Sequence, residues 1–322
     1  MGPNRDRSGT VHCHAHCEYR WQSIRRKASR TQGGGGRLKL EYSPKRAIKN
    51  FLAQLAAIIC VILALIPLIS ILVDVLVKGL PQLSISFLTE NIPPPGDSRG
   101  GIGPAIVGSI FVICIGSAIG IPLGMMSGIY VSEYGQNRFG RFVRFMTEVL
   151  SGFPSIVIGI FSYLLLVTLL KGTNAIAGGF ALSIIMLPIV SRATEESLKL
   201  VPVSVREASL ALGAPKWLTT LKVVLTHARA GIITGIVLSI SRIAGESAPL
   251  LLTVGWTTFY PESLVEPVST LPVLIYQFAI SPYDNWQDLA WGASALLLMI
   301  ILSLSIVVRF ATRKRFSKSR RR

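Results

Sequence analysis

The sequence predicts an all-α polytopic membrane protein with six transmembrane helices and both termini on the cytoplasmic side. Three observations carry this. Half of the 322 residues are apolar and only 15% are charged, against about 25% charged in an ordinary soluble domain. Stretches of about 20 apolar residues, the length that crosses a bilayer, recur along the chain. The net charge of +17 is confined to the ends. Residues 1–49 hold 12 Lys/Arg against 3 Asp/Glu, residues 309–322 hold 8 Lys/Arg and no acid, and the interior holds 13 of each sign. Basic tails flanking an apolar body fit a membrane protein rather than a nucleic-acid binder. Four cysteines in so long a chain exclude a disulfide scaffold.

Five windows free of Asp, Glu, Lys and Arg give five spans: Phe51–Val73, Gly100–Ser132, Val149–Leu170, Gly172–Ser191 and Leu289–Val308. A sixth segment, Thr220–Leu252, is apolar but carries Lys222, His227, Arg229, Arg242 and Glu246. Loop charge argues for counting it. With six spans, the inside loops 133–148 and 192–219 hold Arg138, Arg141, Arg144, Arg192, Lys199, Arg206 and Lys216. The outside segment 253–288 holds Glu262, Glu266, Asp284 and Asp288 and no Lys or Arg. That is the positive-inside pattern. The resulting domains are a basic, flexible cytoplasmic tail (1–48), a first helix (49–78), a core transmembrane domain (100–310) and a basic tail (311–322). No secretory signal is expected, because the first apolar run has span length without a clear cleavage site. His12, Cys13, His14, His16 and Cys17 offer metal-ligand chemistry, but with no small fold around them they read as tail composition, and no metal site is expected.

Charges inside or beside spans mark pathways or partnered sites. Arg192 lies three residues before Glu195 and four before Glu196, so all three can share a helix face. Arg242 and Glu246 are four apart. A guanidinium suits an oxyanion, so the functional reading is an anion path with two arginine gates, each held by an acid when empty. The alternatives are a membrane-edge charge group for the first cluster and a structural ion pair for the second. Residues 204–213 read as a short cytoplasmic helix. Ser204 and Glu207 have capping-box spacing, Gly213 suits the left-handed position after a helix, and Pro215 stops continuation. It is either a docking knob for a partner or an amphipathic linker on the bilayer. No P-loop, G-x-S-x-G or H-E-x-x-H motif occurs, so neither ATP hydrolysis by a P-loop nor those two hydrolytic chemistries is expected of this chain.

Glu207-Ala208-Ser209, then Gly213, then Val223-Val224-Leu225 resembles the EAA loop of importer permeases in the ABC transporter superfamily, with Ser209 for the second Ala and Thr226 for the Pro. Residues 100–109, Gly152-Phe153-Pro154-Ser155-Ile156-Val157-Ile158-Gly159 and Ala244-Gly245-Glu246-Ser247-Ala248-Pro249-Leu250 resemble the phosphate-specific permeases of the Pst system, A-type rather than C-type. The resemblance covers about residues 45–310. It implies a type I importer fold in the bacterial plasma (inner) membrane and transport of inorganic phosphate into the cytoplasm. The implied partners are a second permease of the C type, two ATP-binding subunits of the B type that hydrolyse ATP with Mg²⁺, and an extracytoplasmic phosphate-binding protein of the S type. No cofactor is implied on this chain. The family associates phosphate passage with positions that match Arg192, Glu195 and Arg242, and Glu246 joins them by its spacing. Other readings are a permease for sulfate or molybdate, told apart by substrate spectrum, and a self-contained secondary transporter, which should show internal repeats that this chain lacks and would have no use for a docking helix.

Overall fold

The structure is a computed structural model describing residues 44–97 and 100–319; the His12–Cys17 cluster lies outside these. Among the described residues no group of three His, Cys, Asp or Glu is placed to hold a metal ion. The chain divides after Ile66 into two units. Helix α1 (Pro44–Gly79) begins in the first; its opening turns carry Lys45, Arg46 and Lys49, and from Phe51 to Ile66 it holds no charged residue and exposes its large apolar side chains, as a lipid-exposed span does. The second unit holds the end of α1 and every later element.

These elements are α2 (Ile85–Thr89), α3 (Gly103–Tyr134), α4 (Arg138–Gly152), α5 (Ser155–Ser162, continued by a π turn to Val167) and α6 (Ala175–Lys199). They continue with α7 (Val203–Ala211), α8 (Lys216–Ala244, with a π turn at Thr219–Val224), α9 (Ala248–Thr253), α10 (Leu271–Ala279) and α11 (Asp284–Ser319). Five of the expected spans are single helices: α1, α3, α6, α8 and α11. The segment that hydropathy left least clear, Thr220–Leu252, is α8, although its last residues belong to the separate α9.

The third span differs from expectation. Val149–Leu170 is not one straight helix, and residues 138–148 are not a loop. They form α4, which meets α5 at a 103° bend. The cause is Phe153-Pro154. A residue before proline is pushed out of the helical region, and Phe153 has ψ 135°; Pro154 follows with ψ 134° and has no N–H to continue the ladder.

Helices α3 and α6 form the centre of the fold. Gly116, Gly120, Gly124 and Gly128 recur every four residues on one face of α3. A Cβ on Gly116 would sit 3.0 Å from the Gly179 carbonyl oxygen, and one on Gly128 would sit 2.4 Å from that of Ser191. Only glycine permits such backbone approach, as in other small-residue membrane interfaces. Both sequences climb together along the contact, so the pair is parallel. Two parallel spanning helices need an odd number of crossings between them, and the bent α4–α5 pair supplies the sixth crossing. Helix α8 runs the other way along α6, where a Cβ on Gly231 would meet Ser197 and one on Gly235 would meet Ala193.

Three apolar clusters stack along this frame. Val112, Leu182, Met186, Val190, Ile243 and Leu250 fill the middle. Phe87, Ile102, Leu274 and Phe278, with Trp256 and Trp286, close one end. Leu198, Val201, Val224, Ala228 and Ile232 close the other, beneath α7.

Candidate functional site

Asn174 sets the register of α6. Its side chain accepts from the Ala177 N–H at 2.8 Å and its backbone N–H donates to the Thr253 carbonyl at 2.9 Å. The helix therefore starts at Ala175, and Arg192 lies roughly 26 Å along its axis at 1.5 Å per residue. Pro188, Ser191, Arg192, Glu195, Glu196 and Lys199 follow at helical spacing and line a hollow of about 280 Å³. Across from them stand Arg144, Thr147, Glu148 and Ser151 of α4, also one helix face.

The first cluster is paired differently from expectation. Arg192 bonds Glu196 at 3.2 Å and leaves Glu195 alone; both partners are about two-thirds exposed. Such a pair contributes about 0–1 kcal/mol and exchanges easily. Glu195 is only 14% exposed and is held from two other sides. Arg144 Nη2 reaches its Oε1 at 2.7 Å, and Lys199 Nζ reaches the same oxygen at 2.5 Å. Sequence spacing could not reveal the Arg144 partnership, because it joins two helices.

Arg242 and Glu246 lie at the end of α8, with Arg242 Nε 3.8 Å from Glu246 Oε1 and Arg242 65% exposed. They line a second hollow, of about 200 Å³, together with Ser151, Phe153, Ser155 and Pro188. Ser151 and Pro188 border both hollows. The two arginine clusters are thus neighbours along one groove between α4–α5, α6 and the end of α8. The α4–α5 elbow makes its wall, which is the part sequence reading did not see. The signal was present as Arg144, Thr147, Glu148 and Ser151 at spacings of three and four.

Helix α7 stands at the end where α3 and α6 finish. Its expected capping box does not form. The helix starts two residues earlier than a Ser204 cap requires, at Val203, with Pro202 in the cap position and no side-chain cap, so Ser204 is already inside the first turn. The far end is as expected. Gly213 has φ +82°; its N–H donates to Leu210 O at 2.9 Å, and the Ala214 N–H donates to Ser209 O at 3.3 Å, which is the Schellman arrangement. Ser209 also bonds Thr219 through hydroxyls 2.9 Å apart. Glu207, Ala208 and Gly213 are exposed, as are Leu210, Leu212 and Trp217. Of these, Leu210 lies on α7 itself, and Leu212 and Trp217 follow it.

Among families of known proteins, the one described as "Binding-protein-dependent transport system inner membrane component" matches residues 120–314, from the middle of α3 into α11. The chain belongs to this family. Its relatives include the phosphate transport system permease proteins PstA of Haemophilus influenzae, 41% identical over 78% of this chain and 89% of the relative, and of Yersinia pestis, 42% identical over 84% and 92%. Solved permease structures share the fold. A bacterial alginate ABC transporter, in complex with its alginate pentasaccharide-bound periplasmic protein, aligns with TM-score 0.60 at 13% identity over 85% of this chain and 98% of that one. The inward-facing MetNI methionine ABC transporter aligns with TM-score 0.52 at 19% identity over 66% and 94%. The permease is therefore a membrane protein of the ABC importer fold, with the groove and α7 on that scaffold.

Proposed function

We propose that this chain is a permease subunit of an ATP-driven importer that carries inorganic phosphate into the cytoplasm across a bacterial plasma membrane. The observation that supports it most is the pair of adjoining arginine hollows, in a chain whose relatives are phosphate permeases. A dianion cannot cross an apolar barrier uncompensated. Arg192 and Arg242 offer planar guanidinium donors that suit tetrahedral oxyanions. Each is lightly held by an exchangeable acid, so an anion can be taken up and released.

The chain works with a second, homologous permease of the PstC type, two ATP-binding subunits of the PstB type and an extracytoplasmic phosphate-binding protein of the PstS type. Both of its termini face the cytoplasm. ATP is hydrolysed by the partner subunits, and α7 carries their movement to the spans. The Arg206 anchor supports this role for α7: its Nη2 donates to Glu133 at the end of α3 and to the Leu198 carbonyl at the end of α6, both at 2.8 Å. A push on α7 reaches both central helices directly.

The test is co-purification of the four components, reconstitution in liposomes, and uptake of labelled phosphate driven by internal ATP. Uptake of sulfate or molybdate but not phosphate would overturn the substrate assignment. Uptake without the ATP-binding subunit would overturn the importer assignment.

A further inference from the structure

The groove contains a cation that the two-gate scheme does not use. Arg144 stands on α4, on the far side of the elbow from α5, and reaches across to Glu195 on α6. Lys199 reaches the same carboxylate oxygen. Two cationic groups converging on one oxygen form the geometry of an oxyanion site, occupied here by an internal carboxylate. The surroundings agree. The hollow of about 280 Å³ holds Arg144, Lys199 and Arg192 together, and a water molecule's share of the liquid is only about 30 Å³, so a five-heavy-atom anion fits. Glu148 and Glu196 are exposed and can turn away. Ser151, two turns of α4 from Arg144, borders both this hollow and the second one, where Arg242 lies.

We infer that Arg144 is a third arginine of the anion path: together with Lys199 it binds the oxyanion that displaces the Glu195 carboxylate, before or after the anion meets Arg242. This rests on the phosphate-permease reading above. Glu195 then acts as the resident competitor that keeps the site from holding phosphate permanently, and α4 becomes a wall of the path. A rival role for Arg144, as a clamp that only fixes α4 to α6, predicts a different result.

The experiment measures labelled phosphate imported per ATP hydrolysed by the complete complex in liposomes, with assembly confirmed by co-purification. For Arg144→Gln this ratio falls about tenfold or more, the effect of losing a charge-assisted contact. For Arg144→Lys it falls less, because charge is kept and the fork is lost. In Arg144→Gln combined with Glu195→Gln it stays well below that of Glu195→Gln alone, although no buried carboxylate is left unpaired. A clamp gives another pattern: uptake and ATP hydrolysis decline together with the ratio unchanged, or the double variant comes within about twofold of Glu195→Gln alone. Either outcome overturns the inference. Should Arg144→Gln fail to assemble, Arg144→Lys decides alone, since an unchanged ratio there overturns it. A wild-type complex that imports no phosphate overturns the permease reading and this inference together, whereas importing wild type with an unaffected Arg144→Gln overturns only this one.

Discussion

Arg206 of α7 and Glu133 of α3 form an ion pair of 2.8 Å in which the arginine is 22% exposed and the glutamate 8%. The same guanidinium also donates to the carbonyls of Leu198, in the last turn of α6, and Val201, just past it. One side chain thus joins three helices. Removing it strands a buried carboxylate, at a cost of about 3–5 kcal/mol for a fully buried pair and somewhat less here. We expect Arg206→Met to lower the melting temperature of the purified complex and to reduce uptake. The combined Arg206→Met, Glu133→Gln variant should regain part of the lost stability. A melting temperature unchanged in Arg206→Met would sink the anchor role.

Gly213 occupies the left-handed region at φ +82°, where a β-carbon costs roughly 1–2 kcal/mol and a β-branched residue more. Gly213→Val should weaken binding of the ATP-binding subunit and impair uptake while membrane insertion stays normal. Gly213→Asn, which tolerates that conformation, should do less harm. Equal association of both variants with the ATP-binding subunit would show that the turn does not shape the docking surface.

At the second hollow, Arg242→Gln should abolish phosphate uptake with assembly intact. Arg242→Lys should retain some at best, for lack of the planar fork. Glu246→Gln should be milder, because it removes only the group that balances Arg242 at 3.8 Å. Uptake assays on the three variants rank them. Normal uptake by an Arg192→Gln, Arg242→Gln double variant would return both clusters to structural ion pairs.

Gly128→Leu tests the α3–α6 contact. A Cβ there lands 2.4 Å from the Ser191 carbonyl oxygen and 2.7 Å from Thr194 Cβ, and neither atom belongs to a flexible end. The helices must part, so the variant should fail to yield assembled complex. Full recovery of assembled complex, judged by size-exclusion chromatography, contradicts the close approach.

Topology is open to labelling. With the native cysteines replaced, including the exposed Cys60 and Cys114, single cysteines at Ser263 and Ser319 should react with an impermeant reagent from opposite faces. Reaction of both from one face excludes six crossings.

Hydropathy made α1, α3, α6 and α11 legible because each contains a continuous apolar run, and loop charge added α8, whose run is broken by Lys222, Arg229 and Arg242. Hydropathy missed α4 for the same reason. Arg138, Arg141 and Arg144 within a few residues look like a loop when charge is averaged, yet the helix sets its polar face on α6 and turns Phe139, Phe142 and Phe145 outward. Only periodicity could have separated the two. In the site, the acid one turn from Arg192 was legible and the choice between Glu195 and Glu196 was not. That choice depends on Arg144, which claims Glu195 from another helix. Ser204 shows the limit of a motif. Its spacing to Glu207 satisfied a cap, but Pro202 begins the helix sooner.

The glycine-lined face of α3 also constrains how the chain is made. Ser127 and Ser191, whose hydroxyls meet at 3.0 Å, are 64 residues apart in sequence. At about 5–20 residues per second of synthesis, α6 leaves the ribosome about 3–13 s after α3. Through that interval the groove meant for α6 has no partner, and the intervening elbow must already have turned the chain back across the bilayer. The order of synthesis thus separates the two faces of this contact in time, and the nascent permease passes through a stage in which its most closely packed surface is its least protected one.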